Sequence, residues 1–571
     1  MVLRRRYSIA SLLCLVLLLH ASTTHWVAIV VVVALPFGAR NKQIKIEEEI
    51  EDNTAKNLDE VDDEDEATVT AMVRGAAKKV SITPNANNNG DGSGNAAAAT
   101  VDDVQLLLSS TVASFFQQQQ VETQENDTAL SATLQSVIEA TATSQEMKEF
   151  YQTIRRSLHR HPELMYELPQ TSQTIAHILE ELDITYTTGW AKNTHLDQYE
   201  GSPGGYGIVA QIGTGHREEP CIILRADMDA LPILEATQDI DSFKSTSRGK
   251  MHACGHDGHV TMLLGAAAVL KKVEHEMIGT VRLVFQPAEE GGAGMKRMVE
   301  EGIVELEPKA TFGFGMHVWP TLPTGTIASR PGALMAAAEL FTIVLHGKGG
   351  HAAMPHLTID PIVAASTLVV SLQSIVSRTL SPLESGVISV TQIAAGNAFN
   401  VIPASATICG TIRALSTDML MRLREQVAMM VDATVALHGL TNRTIDWAPD
   451  YYPPTMNDPD LFAWSQEVAS IVSPEGRLRD IEPTMGGEDF SFLAETIPSM
   501  FFLLGQGTGG DDTTPGHHLP RTDYGLHHPS FALDEHVLPL GVQLHANLAV
   551  RSLQKLWQEQ GAVSTDTTSE L

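Results

Sequence analysis

Only four cysteines occur in 571 residues, too few to staple a chain of this length, so the fold must stand on packing rather than on disulfides. Cys14 lies in the N-terminal leader, and Cys221 and Cys409 sit in apolar, β-branched runs where a thiol is expected as a buried strand residue. Aromatic residues make up just 5% of the chain. No basic stripe with interleaved aromatics exists, so the counterion release that drives nucleic-acid binding has no source. Positive charge is scarce as well: 38 Lys and Arg face 69 Asp and Glu, for a formal charge of −31. Much of that acid is local, because Glu47 to Glu66 holds twelve Asp or Glu against Lys56 alone, and such a stretch repels phosphates. No nucleic-acid partner is expected.

A chain that is 43% hydrophobic and 19% charged has an ordinary globular balance, and its length accommodates two or three domains. It opens with Arg4, Arg5 and Arg6, an apolar run from Ile9 to Leu19, a small polar patch at Ala21 to Thr24 and a second apolar run from Trp26 to Phe37. Residues 1–38 are therefore expected to be a targeting or anchor segment. A secretory signal fits the charged start and short apolar run. A membrane anchor, interrupted by His20 and His25, and a two-part organelle leader are the rivals. Sequons at Asn126 and Asn442 would be usable on a lumenal route to the secretory pathway. From Gly38 to Thr143 the chain is acidic, then Asn/Gly/Ala-rich at Asn85 to Ala99, then Gln-rich. Residues 39–143 are accordingly read as a disordered tether and 561–571 as a disordered tail.

Order is expected from Thr143, where Thr143 and Glu146 are spaced as a capping box and Met147, Phe150, Ile154 and Leu158 follow at helical intervals. Helical patterns then alternate with apolar runs such as Cys221 to Ala226, Thr280 to Phe285 and Thr311 to Met316. That alternation implies an α/β domain, a mostly parallel sheet covered by helices. After Pro331 the rhythm changes to strand (Glu339 to His346), helix (Pro361 to Arg378), strands (Gly386 to Ala394, Ser405 to Leu415) and helix (Asp418 to His438). This is a smaller α+β unit of the split βαβ, ferredoxin-like kind. Because the α/β pattern resumes after Asn457, the expected architecture is a discontinuous domain over 144–334 and 445–560 with an inserted satellite over 335–444.

The chemistry concentrates where apolar runs end. His252-Ala253-Cys254-Gly255-His256-Asp257-Gly258-His259 packs three imidazoles and a thiol into eight residues before a helix. Cys254 and His256 suit Zn, Mn, Co or Ni, whereas His252 and His259 are expected as hydrogen-bonded neighbours, and Asp257 as a cap of the next helix is the bland alternative. Asp227 and Asp229 follow one strand, in the position where open α/β sheets place ligands. Glu289 and Glu290 follow another, and two adjacent carboxylates leaving a buried strand call for a cation. If Glu290 ligates, Glu289 is free to act as general base on an activated water; a helix-start acidic pair is the rival reading. His317 ends a further strand, and His527-His528-Pro529 lies in a late loop.

Taken together, these residues carry a specific resemblance. From Tyr151 to Leu553 the chain resembles the auxin-conjugate hydrolase and hippurate hydrolase subfamily of the aminoacylase/carboxypeptidase metallopeptidases. The matching segments are LHRHPEL (Leu158 to Leu164), RADMDALPI (Arg225 to Ile233), MHACGHDGH (Met251 to His259), FQPAEEGGAG (Phe285 to Gly294), GMHVWP (Gly315 to Pro320), GKGGHAAMPH (Gly347 to His356), FNVIP (Phe399 to Pro403), MGGEDFSF (Met485 to Phe492) and LHHPSF (Leu526 to Phe531). The resemblance does not extend to the first 145 residues.

The resemblance implies two divalent ions per subunit, Mn or Zn foremost with Co or Ni as alternatives. Cys254 would bridge them, with Glu290 and His527 completing one site and His256 and His317 the other. Glu289 would be the general base and Asp229 an acid that orients a ligand; related subfamilies have histidine where this chain has Asp227, which is left out of the ligand set. The insertion resembles a satellite domain that pairs two subunits, so a homodimer is implied. His351 would then reach a neighbouring active site to steady the oxyanion, and Asn400 and Arg413 would hold the substrate's carbonyl and carboxylate. The implied reaction is hydrolysis of N-acyl amino acids carrying auxin-type, benzoyl or acetyl groups. A dipeptidase or carboxypeptidase with the same metals and an idle acyl-amino-acid binder are the alternatives.

Overall fold

The computed structural model describes Leu15–Leu17, Ile29–Val31 and residues 127–196, 201–238, 240, 242–473, 479–507 and 521–566. The chain divides into two units, Met1–Asn95 and Ala96–Leu571. In the first, one triplet from each apolar run of the leader forms an antiparallel pair, Leu15–Leu17 with Ile29–Val31. The rest of the leader, the acidic run, the sequon at Asn126 and the end of the tail lie outside the described residues. All the remaining described elements belong to the second unit.

Strands β1 (Thr185–Lys192), β2 (Gly204–Gly213), β3 (Cys221–Asp227), β4 (Thr280–Gln286), β5 (Ala310–Trp319) and β6 (Ile327–Ser329) precede the insertion. Within it lie β7 (Ala337–His346), β8 (Gly386–Ala395), β9 (Ser405–Ala414) and β10 (Asn442–Trp447); β11 (Arg479–Asp480) and β12 (Ser499–Gly505) come after it. The main sheet has eight strands in the order β11-β6-β12-β5-β3-β4-β2-β1. Its centre, β12-β5-β3-β4, is parallel, whereas β2 runs antiparallel to both β4 and β1, and β6 runs antiparallel to β12. Every residue of β3, β4 and β12 is buried. Such continuous apolar runs suit strands covered on both faces, and the antiparallel edges make the sheet mixed.

Helices α1 (Asp127–Ala142), α2 (Gln145–Arg160), α3 (Pro169–Glu181) and α4 (His256–Lys272) come before the insertion. Gly294–Glu300 forms the short α5, α6 (Pro361–Ser374) and α7 (Thr417–His438) belong to the insertion, and α8 (Pro459–Val472) and α9 (Leu538–Asp566) close the chain. Helix α4 is buried from His256 to Leu270, wedged between the sheet and helices α2 and α9. It is small and apolar on all sides (Gly265-Ala266-Ala267-Ala268), which is how a helix is built when every face is covered.

Four expected boundaries are corrected, the last at the end of the insertion. The tether does not extend to Thr143: α1 occupies 127–142 and buries Leu134, Ile138 and Ala142 in the core, an i, i+4, i+8 stripe masked by the polar stretch before it. The α2 cap is Ser144, whose side chain accepts the Met147 N–H, while Thr143 Oγ1 bonds back to Glu139 O. At the other end, α9 runs to Asp566, past the expected limit at 560.

The insertion folds as βαββαβ, with all-antiparallel order β8-β9-β7-β10. Its last strand, β10, pairs with β7 through Trp447, so the unit ends there and not at 444. The alternating sequence Asn-Arg-Thr-Ile-Asp-Trp is a half-exposed edge strand, too polar for an apolar-run search to find. Leu368 and Leu372 of α6 and Leu423 and Val427 of α7 pack over Ile343, Leu345, Ile408 and Ile412 on one face of the sheet. Among the described residues the other face carries no helix. Cys409, expected to be buried, is only half-buried, and its sulfur accepts a bond from Thr342 Oγ1 at 3.7 Å. Where the chain enters and leaves the insertion, Ala338 and Tyr452 exchange both backbone hydrogen bonds, at 2.9 and 2.8 Å.

Candidate metal centre and active site

The loops leaving β3, β4 and β5 converge with the start of α4 and the late loop. Gly255, at φ 96°, is the N-terminal cap of α4, and a Cβ there would stand 2.4 Å from Val318 Cγ2. Only glycine permits both that left-handed turn and the close approach, and the turn sets Cys254 and His256 against one centre. Cys254 Sγ lies 3.3 Å from His317 Nε2. His317 Nδ1 donates to Val318 O at 2.7 Å, so Nε2 keeps its lone pair free toward the thiol. The late loop is pinned by the His527 N–H, which donates to Ala253 O at 2.8 Å. His527 itself adopts φ 63°, rare for a residue with a Cβ, and its Nε2 comes within 3.3 Å of Glu290 Oε1.

Five groupings of potential ligands occur among the described residues, two of them built on Cys254. One atom each from Cys254, His256 and His317 lie within 4.8 Å of one another, and so do one each from Cys254, Glu290 and His527. Cys254 is common to both. Both ring nitrogens of His256 and Glu290 Oε1 are buried without a hydrogen-bond partner, a costly state unless something else binds them. Burial raises the Cys254 thiol well above its usual range, and Glu290, Glu289 and Asp227 push it further. An excess of acid around a thiol and two orphaned donors is what cations would relieve, so the residues present fit a metal pair.

Glu289 is buried beside this cluster, and one carboxylate oxygen each from Glu289, Glu488 and Asp489 gather within 4.8 Å. Burial, then the charges of Glu488, Glu290 and Asp489, holds the Glu289 carboxyl well above the usual carboxylate range. Asp229 holds the Glu289 loop by its backbone: Oδ1 accepts the Glu289 N–H at 2.9 Å and Oδ2 the Glu290 N–H at 3.1 Å. Its Oδ1 is also 3.6 Å from His256 Nδ1.

Residues 223–551 match peptidase family M20/M25/M40. Over 426 residues, 74% of this chain and 89% of the relative, the sequence is 42% identical to the IAA-amino acid hydrolase ILR1-like 2 of Arabidopsis thaliana. The chain belongs to this family. It is 37% identical to N-acetylcysteine deacetylase of Bacillus subtilis over 71% of this chain and 97% of that one. Among solved structures, the Bacillus subtilis YxeP protein, a dinuclear metal binding peptidase of the M20 family, superposes with a TM-score of 0.56 at 33% identity, covering 72% of this chain and 99% of that one. The protein is thus an M20 metal-dependent amide hydrolase that takes two divalent ions.

In this M20 enzyme the sequence-predicted Cys254, His256, Glu290, His317, His527, Glu289 and Asp229 come together. His259 is a hydrogen-bonded neighbour, with Nδ1 at 2.6 Å from Asp227 Oδ1 and Nε2 accepting the Val318 N–H at 3.0 Å. His252 differs from expectation, since both its ring nitrogens are buried without a partner. Asp257, expected as a possible helix cap, lies instead in the first turn of α4 behind the Gly255 cap; it accepts the Gly258 N–H at 3.0 Å and is clamped by Arg155 Nε at 3.2 Å and His159 Nδ1 at 2.8 Å.

Sequence reading missed the support behind the centre. Arg225, wholly buried mid-strand, reaches Gln286 Oε1 (2.7 Å), Asp227 Oδ2 (3.0 Å), Glu488 Oε1 (2.9 Å) and Asp489 Oδ1 (2.9 Å). Its signal was a charge inside an all-apolar strand; that of Glu488 and Asp489 was a carboxylate doublet within MGGEDFSF.

The centre opens into a cavity of about 890 Å³ floored by the helix-free face of the satellite sheet. Arg413, in β9, lines it without an ion-pair partner among the described residues. A Cβ on Gly487 would stand 2.9 Å from Arg413 Nη1 and 3.0 Å from Ala338 Cβ, so a side chain there would make the guanidinium move. Trp319, Met335, Leu340 and Leu526 supply apolar wall. His351 and Asn400 are exposed on the satellite, joined by the Ala352 N–H to Asn400 O bond, and neither lines this cavity.

Proposed function

We propose that this M20 enzyme hydrolyses N-acyl amino acids with apolar, ring-bearing acyl groups of the auxin or benzoyl type. Supporting this reading is one juxtaposition: two donor sets sharing Cys254, one buried and one reaching the surface at His527, with Glu289 beside them and the Arg413 guanidinium across an apolar-walled cavity. Cys254, Glu290 and His527 would hold one ion, and Cys254, His256 and His317 the other. When bound, the cations supply Lewis acidity, lowering a water's pKa and polarising the acyl carbonyl. Thiolate, imidazole and carboxylate together favour Mn or Zn and admit Co or Ni.

Glu289 takes the proton of the attacking water, whose oxygen forms the new bond to the acyl carbon. As the C–N bond breaks, the same carboxyl returns that proton to the departing nitrogen. Asp229 keeps Glu289 in place by its hold on the backbone, and Arg413 receives the substrate carboxylate through its two-pronged fork. Hydrolysis of a panel of indole-acetyl, benzoyl and acetyl amino acids beside dipeptides, with added Mn or Zn, tests the reading. Cleavage of dipeptides alone, or of nothing, would overturn it.

Two further expectations become proposals. Two copies pair through the satellite, which is supported by the exposed Ile362, Val363 and Val370 on α6 and by Phe399 and Val401 near His351; His351 and Asn400 would then serve the partner's cavity. Light scattering tests this. The leader routes the chain to the secretory pathway, supported by its charged start and short apolar runs, and sequencing the mature N-terminus decides it.

A further inference from the structure

We infer that Tyr452 is a positioning residue whose hydroxyl ties the loop carrying Glu289 and Glu290 to the crossing between the two parts of the enzyme. The inference rests on the roles proposed above for those two carboxylates.

The loop after β4 is unusual in its backbone. Ala288 (φ 59°) and Ala293 (φ 55°) both occupy the left-handed region, which disfavours residues with a Cβ, and Gly291 (φ 99°) sits between them. Three left-handed residues within six turn Glu289 and Glu290 out of the sheet toward the centre. A conformation of this kind persists only if its surroundings hold it. Asp229, just past the end of β3, grips it by the Glu289 and Glu290 amides. The opposite side of the loop is held from outside the sheet.

Two phenols supply that second hold: Tyr166 Oη donates to Gly292 O at 2.5 Å, and Tyr452 meets the loop at three points. Tyr452 Oη donates to Glu289 O at 2.7 Å and accepts the Gly291 N–H at 3.1 Å and the Ala293 N–H at 3.0 Å. One donor and two acceptor sites are the full capacity of a phenol, and all three are spent on this loop. The ring is buried and meets Phe492 edge-on, with centroids 5.9 Å apart. Tyr452 is also the residue whose backbone pairs with Ala338, at the point where the chain enters and leaves the satellite. Asp450, two residues earlier, is bonded by Lys296 Nζ at 2.6 Å and by Arg297, both in α5, which begins where the loop ends. The crossing segment 450–452 is therefore tied to the general-base loop by Tyr452 and to the helix after that loop by Asp450, and the placement of Glu289 depends on where that segment lies.

Tyr452→Phe removes the oxygen and keeps the ring. In the metal-saturated full-length chain we expect kcat on a benzoyl amino acid to fall at least tenfold, with KM within about twofold, because the substitution keeps the ring that lines the cavity and leaves Arg413 in place. In amide hydrogen exchange on the same protein, peptides covering 287–295 should exchange faster, while those covering α6 and α7 keep wild-type protection. Unchanged kcat with unchanged exchange in 287–295 overturns the proposal. Faster exchange throughout the chain with wild-type kcat overturns it too, since that marks a general structural role. If the wild-type chain cleaves no N-acyl amino acid, the substrate reading fails, and the exchange experiment still decides the role of Tyr452.

Discussion

The Glu289 N–H points at Asp229 Oδ1, 2.9 Å away, so the residue read as general base is held by a carboxylate from the loop that follows the neighbouring parallel strand. Side chain and backbone of Glu289 thus have separate tasks, and a substitution that spares the backbone isolates the chemistry. Glu289→Gln keeps the shape and removes the proton acceptor. Turnover should drop by about 10²–10⁴-fold, the usual worth of a general acid-base group. Elemental analysis should find wild-type metal content, and near-normal turnover would remove the assignment.

Cys254 belongs to both donor sets, so its loss should be felt at both. Cys254→Ala should lower bound metal well below two ions per chain after dialysis. Circular dichroism should stay native, because the core around α4 is apolar and does not depend on the thiol. Full occupancy of both sites in this variant would count against the bridge.

Arg413 and Gly487 form a pair in which one side chain needs the absence of the other. Arg413→Lys keeps the charge and loses the planar fork, whereas Gly487→Ala places a methyl 2.9 Å from the guanidinium and 3.0 Å from Ala338 Cβ. Both should raise KM for acyl amino acids, by roughly tenfold or more if a charge-assisted bond is lost. Neither should raise KM for the matching amino-acid amides, which carry no carboxylate. Equal effects on acids and amides would show that Arg413 does not read the carboxylate.

Stability should carry a pH signature from Glu339. Buried in the satellite, its carboxyl is raised from the usual 4.5 to about 7 by burial, which the nearby Arg424 only partly offsets. The native state therefore holds this proton over a range where the unfolded chain has released it. Protein stability should fall as pH rises from about 4.5 to about 7 and change no further from this source above that. Glu339→Gln cannot ionise, so the wild-type melting temperature should decline relative to the variant across that window. A constant difference between the two would sink the argument.

Periodicity and local composition determined the alternation of helix and apolar strand, the presence of an inserted α+β unit, and the clusters His252 to His259 and Glu289-Glu290, because each depends on residues close together in the chain. Edge and amphipathic elements escaped that reading: α1 hides its buried stripe behind polar residues, and β10 is too polar to register as a run. The meeting of Glu290 with His527, the brace from Arg225 to Glu488 and Asp489, and the three bonds of Tyr452 belong to tertiary structure alone. They depend on which strands lie side by side and where a crossing segment returns, and strand order leaves no periodic trace in the chain.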